Sequence, residues 1–207
     1  MIDLVLSEPL EGLEHQVRAV LFDCDGTLVD TMGAHHRSWQ ETLRGILPEA
    51  KLDYERFCTL GGMTGTVVAE EICDWFELKH DPVELAMRKR EIFLRGTEPH
   101  PPIREVAEFA RRAAATVSVA VVSGGHRPAV ERALVNAGLR ELFEVIVTPE
   151  DVTHGKPAPD MYLLAAERLN TDPADCLVLE DGPPGIEAAK AAGMRVVAVG
   201  PAARNMK

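Results

Sequence analysis

The sequence predicts an α/β fold with a helical insertion, and three observations lead to this prediction. Five short apolar runs, rich in valine, are spread along the chain of 207 residues. Helical patterns separate the last four runs, and alternation of strand and helix is typical of a parallel sheet with right-handed crossovers. The interval between the first two runs exceeds ninety residues and contains helical patterns only. It therefore indicates a second, all-helical unit.

The apolar runs are nearly continuous, as expected for strands that are covered on both faces of a parallel sheet. The predicted strands cover residues 18–23, 117–122, 144–147, 176–180 and 195–199. Apolar stripes with helical spacing predict three helices between the later strands. These helices cover residues 128–137, 160–169 and 185–192.

The long interval after the first strand is predicted to hold three helices, at residues 36–46, 64–76 and 81–94. The last of these begins with Asp81 as a candidate cap and Pro82 at the first helical position, where proline is tolerated. A helix over residues 104–115 then leads into the second strand. We therefore expect an α/β core over residues 1–30 and 99–207, interrupted by a helical domain over residues 31–98.

The charge of the chain limits its partners. It has 33 acidic residues against 22 lysines and arginines, a net charge of −11 and a pI of about 5.1. Such a chain lacks the basic surface of a general nucleic-acid or anionic-membrane binder. No apolar run approaches the roughly 18–20 residues that a membrane-spanning helix needs. We expect no nucleic-acid partner and no membrane partner.

The four cysteines are scattered and form no CxxC pair, so a zinc site is not predicted. Free thiols are usual in a reducing compartment. The first sixteen residues lack the basic and apolar regions of a signal peptide. We expect a cytoplasmic monomer.

Two carboxylates stand at the end of the first predicted strand. Asp23 and Asp25 are separated by one residue and followed by Gly26, which would let the backbone turn sharply. Ligands bind at the carboxyl ends of strands in open α/β sheets. Mg²⁺ takes one or two carboxylates and completes its coordination with water and substrate phosphate. A magnesium site is one interpretation of this pair, and an acidic turn that caps the following segment is the alternative.

Four segments at the ends of predicted strands together resemble the haloacid dehalogenase (HAD) superfamily. The segments are DCDGTL at residues 23–28, VVSGG at 121–125, GKPAPD at 155–160 and LEDGPPGIEAA at 179–189. They occur in the order of the family's motifs and span nearly the whole chain. The resemblance is to the β-phosphoglucomutase-like branch, which has a HAD-like Rossmannoid core and a small helical cap inserted after the first strand. Fructose-1-phosphatase-like members belong to this branch.

The resemblance implies a role for each motif residue. Asp23 is expected to be the nucleophile that forms an aspartyl-phosphate, and Asp25 the general acid and base. Ser123, with the amides of Gly124 and Gly125, is expected to bind the phosphoryl group. Lys156 is expected to offset the negative charge on Asp23 and the phosphoryl oxygens.

The resemblance also implies a metal and a cap. Asp23, Asp181 and the backbone carbonyl of Asp25 are expected to hold Mg²⁺, with Glu180 acting through a water or outside the coordination sphere. His35 resembles a histidine at the cap hinge beside the substrate, and a surface role is its alternative. Lys89 resembles a cap lysine that reaches toward the substrate, and a solvated basic face is its alternative.

The expected activity is hydrolysis of a small phosphorylated metabolite, a sugar phosphate, by a Mg²⁺-dependent phosphatase. A sugar-phosphate mutase of the same branch is the first alternative. The cap loop carries Gly61 and Gly65 where the mutase has basic residues, which favours the phosphatase. A 2-haloacid dehalogenase is the second alternative, and Asp25 argues against it because that enzyme has no general-acid aspartate there. A non-catalytic binding protein on the same fold is the third.

Overall fold

The computed structural model describes residues 6–98 and 100–200. This part of the chain forms one sheet of five parallel strands in the order β3-β2-β1-β4-β5. The strands are β1 (Ala19–Phe22), β2 (Ser118–Val122), β3 (Val145–Val147), β4 (Cys176–Glu180) and β5 (Arg195–Ala198). Each predicted strand is confirmed to within one residue at either end, because a continuous apolar run marks a fully covered strand clearly.

The described part of the chain has eight α-helices, which alternate with the strands after β2. They are α1 (Met32–Arg44), α2 (Tyr54–Cys58), α3 (Gly65–Trp75), α4 (Pro82–Arg95), α5 (Arg104–Ala114), α6 (Arg127–Asn136), α7 (Asp160–Arg168) and α8 (Pro183–Ala191). Four short 3₁₀ segments cover Leu13–His15, Arg140–Leu142, Pro149–Asp151 and Pro173–Asp175. No helix in this described part is long and apolar enough to cross a bilayer.

Two helix predictions differ from the structure. Helix α1 begins at Met32, four residues earlier than predicted, because its first turn carries glycine and histidine and no apolar stripe. Helix α2 was not predicted, since five residues are too few to display a period. It is capped by Asp53, whose side chain accepts a hydrogen bond from the amide of Arg56. The predicted cap at Asp81 is confirmed by its bond to the amide of Val83.

The sheet is covered on both faces by separate apolar clusters. One cluster places the rings of Phe22, Phe109 and Phe143 together against α5 and α6. The other packs Leu21 and Met161 between the sheet and helices α7 and α8. All four residues of β1 are fully buried, because this strand is central and flanked by β2 and β4.

Helices α1 to α4 enclose an apolar cluster of their own. Its buried side chains include Trp39, Leu43, Ile72 and Leu85. The chain leaves the sheet and returns to it side by side, since the amide of Asp30 donates to the carbonyl oxygen of Pro101 at 3.0 Å. This cluster is separate from the two that cover the sheet, and the boundaries near residues 30 and 99 stay a prediction. Residues 1–5, 99 and 201–207, which the prediction assigns to the core, lie outside the described residues.

Candidate active site

The carboxyl ends of β1, β2 and β4 bring the predicted site residues to one edge of the sheet. In the register of the sheet Phe22 lies beside Val121 and Leu179, so the residues that follow these three also meet. Asp23 follows β1, Ser123 follows β2, and Glu180 and Asp181 lie at the end of β4. Parallel strands pointing the same way produce this convergence, as the motif positions predicted.

Lys156 lies beneath this edge as a fully buried cation. Its Nζ donates to Oδ1 of Asp23 at 2.8 Å, to Oε2 of Glu180 at 2.6 Å and to the carbonyl oxygen of Val122 at 2.9 Å. Burial alone would lower the pKa of Lys156, but the charges of Asp23 and Glu180 raise it well above its ordinary value. The lysine is therefore protonated, and all three of its protons have acceptors.

Both carboxylate oxygens of Glu180 are committed to the protein. Besides Lys156, Oε2 accepts from the hydroxyl of Tyr162 at 2.7 Å, and Oε1 accepts from the amide of Gly182 at 3.0 Å. Burial, followed by the charge of Glu180, raises the pKa of Tyr162 well above its usual range, so the phenol stays a donor. These bonds orient Glu180 toward Lys156 and leave Asp23 and Asp181 as the freer carboxylates.

The side chains fit a divalent cation. Asp23, Glu180 and Asp181 each offer a carboxylate oxygen, and these atoms lie within 4.8 Å of one another. Oδ2 of Asp23 is buried and has no hydrogen-bond partner among the described residues. Burial and the charge of Glu180 raise the pKa of Asp181 to about 8 and that of Asp23 well above its ordinary value. Crowded carboxylates of this kind are stabilised by a cation with oxygen ligands, which is the chemistry of Mg²⁺.

The side chain of Asp25 turns away from this cluster. Its Oδ1 accepts from the hydroxyl of Thr31 at 2.6 Å and lies 3.1 Å from Nε2 of His35, while Oδ2 accepts from Ser123 at 3.3 Å. Its backbone carbonyl oxygen accepts no hydrogen bond from the described residues. This carbonyl remains available as a metal ligand, as the resemblance implies. Burial would raise the pKa of Asp25, but His35 and the donated hydrogen bonds hold it well below its usual range.

Two residues of the helical domain connect to Asp25. Nζ of Lys89, on α4, donates to Nδ1 of His35 at 2.6 Å, so Nε2 of the neutral ring carries the hydrogen that faces Asp25. The ring of Phe93 stacks on His35 with centroids 4.1 Å apart. Desolvation lowers the pKa of Lys89 to about 8. His35, predicted at the cap hinge, and Lys89, predicted as a cap lysine, therefore form one hydrogen-bonded chain that ends on Asp25.

The loop after β2 carries the predicted phosphate-binding residues. Ser123 is buried, and its hydroxyl oxygen accepts from the amide of Gly125 at 3.0 Å. Helix α6 begins at Arg127, so Gly124 and Gly125 precede its first turn rather than form it. Ser123, Gly124 and Gly125 all line the same cavity as Asp23 and Asp25.

That cavity lies between the sheet edge and the helical domain and has a volume of about 450 Å³. The loop from Leu60 to Gly65 closes it from above, and Asp23 and Asp25 lie on its floor. A volume of this size is ordinary for a site that binds a small molecule. Asp23, Asp25 and Ser123 thus line one cavity between the sheet and the helices.

Sequence reasoning missed two residues that complete the site. Tyr162 lies on the apolar face of α7, where an aromatic residue looks like any core side chain, and only its hydroxyl distinguishes it. Thr31 ends the segment after the first motif and donates the shortest hydrogen bond to Asp25. The proximity of Thr31 to Asp25 along the chain was the only available signal.

Comparisons with known proteins identify the same family that the four motifs resemble. The family model for haloacid dehalogenase-like hydrolases matches residues 17–193. The chain is 35% identical over 184 residues to fructose-1-phosphate phosphatase YqaB of Escherichia coli (strain K12), covering 87% of this chain and 95% of that protein. It is 34% identical over 189 residues to hexitol phosphatase A of the same organism, covering 88% of this chain and 82% of that one.

Solved structures resemble the chain as well. The crystal structure of a mutant of CbbY from Rhodobacter sphaeroides, in complex with xylulose-(1,5)bisphosphate, superposes with a TM-score of 0.73 at 29% sequence identity. The likeness covers 87% of this chain and 84% of that one. A putative β-phosphoglucomutase from Bacteroides vulgatus superposes with a TM-score of 0.74 at 28% identity, covering 87% and 74%.

Proposed function

The chain belongs to the haloacid dehalogenase-like hydrolase family and is a phosphatase, and from this we propose that it hydrolyses a small phosphorylated sugar through an aspartyl-phosphate, with Mg²⁺ as cofactor. One observation carries the proposal. Asp23 lies on the floor of the cavity with one oxygen held by Lys156 and the other without a partner among the described residues. A carboxylate that is oriented at one oxygen and free at the other is suited to attack.

Asp23 is the proposed nucleophile. An oxygen of Asp23 attacks phosphorus, the bond from phosphorus to the leaving alcohol breaks, and Asp25 gives its proton to the departing oxygen. Asp25 then takes a proton from water, which attacks the same phosphorus. The bond from phosphorus to Asp23 breaks and inorganic phosphate leaves. The proton that Asp25 took from water returns through His35 to Lys89, so both carboxylates are restored.

The proton that Asp25 needs for the first step reaches it through the cap residues. His35 faces Asp25 with Nε2 and accepts from Lys89 with Nδ1. Protonated Lys89 can therefore supply a proton at one side of the ring while the other side delivers one to Asp25. This path is closed when Lys89 is neutral.

The remaining motif residues offset negative charge and position the phosphoryl group. Lys156 offsets the negative charge that gathers on Asp23 and on the phosphoryl oxygens, in a buried place where such an interaction is strong. The hydroxyl of Ser123 moves from Asp25 to a phosphoryl oxygen when substrate enters. Asp23 and Asp181, with the carbonyl oxygen of Asp25, would hold Mg²⁺, which supplies positive charge to the phosphoryl oxygens when it is bound.

Phosphorylated sugars are the proposed substrate class, and two features support this choice. Two relatives at 34–35% identity bear the names fructose-1-phosphate phosphatase and hexitol phosphatase. The cavity of about 450 Å³ has room for a six-carbon leaving group beneath the cap.

A sugar-phosphate mutase is the second candidate, because similar structures include putative β-phosphoglucomutases. Gly61 and Gly65 line the cavity without any charge at the places where the mutase branch carries basic residues. A mutase must hold a second phosphate while the first is transferred, and arginine serves that purpose best. The cap loop therefore favours hydrolysis.

Product analysis separates the two activities. The purified chain is incubated with a hexose 1-phosphate and Mg²⁺, with and without EDTA, and the products are separated and quantified. Free hexose with an equal amount of inorganic phosphate, lost on chelation, supports the proposal. Accumulation of the isomeric hexose phosphate would establish the mutase instead, and activity that survives exhaustive chelation would contradict the role of Mg²⁺.

We also propose that the enzyme acts as a cytoplasmic monomer. The four cysteines are free, and three of them are buried. Free buried thiols suit a reducing compartment. Size-exclusion chromatography with light scattering tests the monomer, and a dimer that persists at nanomolar protein concentration would contradict it.

A further inference from the structure

A carboxylate that belongs to none of the four motifs lines the cavity. Glu150 lies in the 3₁₀ segment that follows β3, on the side of the cavity opposite the helical domain. The segment is held firmly, since the Asp151 carboxylate accepts from the amide of Thr148 at 2.9 Å and pairs with Arg127 and Arg168. Glu150 is therefore presented to the cavity from a rigid support.

The carboxylate of Glu150 is also fixed at one oxygen. Its Oε1 lies 3.2 Å from Nε2 of His126 and accepts from the amide of Arg127 at 3.3 Å. Burial would raise the pKa of Glu150, but the hydrogen bond from Thr148 and the bonds near Arg127 lower it below its ordinary value. The cavity wall at this place consequently bears a negative charge, and the Glu150 side chain is 41% exposed, so it can accept a further hydrogen bond.

A positively charged side chain of α4 lines the same cavity. Arg90, one residue beyond Lys89 on α4, lines the cavity and makes no ion pair or hydrogen bond with the described residues. A leaving group in this space therefore meets an acceptor on the core side and a donor on the cap side. Hydroxyl groups donate and accept, so a polyol satisfies both walls. A second phosphate or a carboxylate would satisfy Arg90 and be repelled by Glu150.

We propose that Glu150 is a specificity residue, which accepts a hydrogen bond from a hydroxyl of the leaving group and selects against a leaving group that bears a second anion. This inference rests on the proposed phosphatase function and concerns the same cavity. Selection against a second anion would then come from the negative charge of Glu150, in addition to the absence of positive charge in the cap loop.

The test compares Glu150→Gln with the parent on three substrates. These are fructose 1-phosphate, fructose 1,6-bisphosphate, and phenyl phosphate, which has no hydroxyl to donate. Glutamine keeps the shape of the side chain and removes its charge, so the fold is preserved. Glu144→Gln is the matched control, because Glu144 is exposed just before β3 and does not line the cavity.

We expect Glu150→Gln to reduce the ratio of kcat/KM for monophosphate over bisphosphate by about tenfold, the size of one hydrogen bond to a charged group. The loss on fructose 1-phosphate should exceed the loss on phenyl phosphate and lie mainly in KM. Glu144→Gln should leave the ratio unchanged. An equal shift in both variants, or none in either, would overturn the proposal. A parent that releases phosphate from none of the three substrates would instead contradict the phosphatase function itself.

Discussion

The backbone of Gly62, in the cap loop, packs directly on Gly124, which follows β2. A β-carbon built on Gly124 would overlap the carbonyl group of Gly62, and one built on Gly182 would overlap that of Gly61 in the same way. Two glycines of the core motifs thus receive two consecutive carbonyls of the cap loop. Since Ser123 and Asp181 are the neighbours of these core glycines, the contact fixes the loop directly beside the proposed phosphate-binding and metal-binding residues.

Replacing Gly124 with alanine is expected to hold the cap loop away from the core. A displacement of about 1 Å can cost roughly a hundredfold in rate, and we expect a loss of that order in kcat/KM for phenyl phosphate. Gly33→Ala is the control, because a β-carbon there meets only the end of the Arg37 side chain at 3.4 Å. Equal activity of the two alanine variants would show that the close contact is not needed for turnover.

The hydroxyl of Tyr162 is expected to contribute to stability through Glu180. Tyr162→Phe removes one hydrogen bond to a buried carboxylate and should lower the free energy of unfolding by about 1.5 kcal/mol. For a chain of this length the melting temperature should fall by about 3–6 °C. The chain has a second tyrosine, the exposed Tyr54, and Tyr54→Phe provides the comparison. Indistinguishable melting curves for the two variants would rule out this contribution.

The lowered pKa of Lys89 leads us to predict that activity declines at alkaline pH. Desolvation lowers its pKa to about 8, so the fraction of protonated lysine falls as the pH rises through that value. If protonated Lys89 supplies Asp25 through His35, kcat/KM of the parent should decline above about pH 8. In Lys89→Gln the rate should be lower and this decline should disappear. A decline of unchanged midpoint in the glutamine variant would assign it to another group.

Because Asp181 is a proposed Mg²⁺ ligand, we predict that Mg²⁺ stabilises the fold. Binding to the native state alone raises stability, by about 2.7 kcal/mol at a concentration one hundred times the dissociation constant. We expect Mg²⁺ to raise the melting temperature of the parent and to have little effect on Asp181→Asn. Asp175→Asn, which changes an exposed carboxylate at the start of β4, should respond as the parent does. A full Mg²⁺ response in Asp181→Asn would remove Asp181 from the proposed ligands.

The same carboxyl group sets a pH dependence in the absence of metal. Its pKa in the folded protein, about 8, lies above the ordinary value, so the folded state binds the extra proton. Stability of the metal-free parent should therefore fall as the pH rises from about 4 to 8, and Asp181→Asn should reduce this fall. Chemical denaturation in EDTA at several pH values measures it, and equal slopes in parent and variant would contradict the assignment.

The strands and the convergence of the site could be predicted because their signals are local. An apolar run such as residues 176–180 indicates a buried strand, and the acidic residues at its end are candidate site residues. The parallel arrangement then brings Asp23, Ser123 and Asp181 together without any knowledge of side-chain contacts.

The contacts that tune the site could not be predicted in this way. The bond between Tyr162 and Glu180 joins residues on different elements, and the apolar stripe of α7 conceals the hydroxyl. Glu150 looked like one acidic residue among 33. Its place in the cavity depends on the rigid turn after β3 and on the helical domain that closes over it.

Trapping the covalent intermediate on Asp23 tests the central claim most directly. The enzyme is mixed with fructose 1-phosphate and Mg²⁺, quenched with borohydride, which reduces an aspartyl-phosphate to homoserine, and digested for peptide mass spectrometry. We predict homoserine at position 23 in the parent, only when substrate is present, and none in Asp23→Asn, which should also lose several orders of magnitude in kcat. Phosphate release by the parent without any modification at Asp23, or an Asp23→Asn variant that retains a tenth of the parent's kcat, would contradict it.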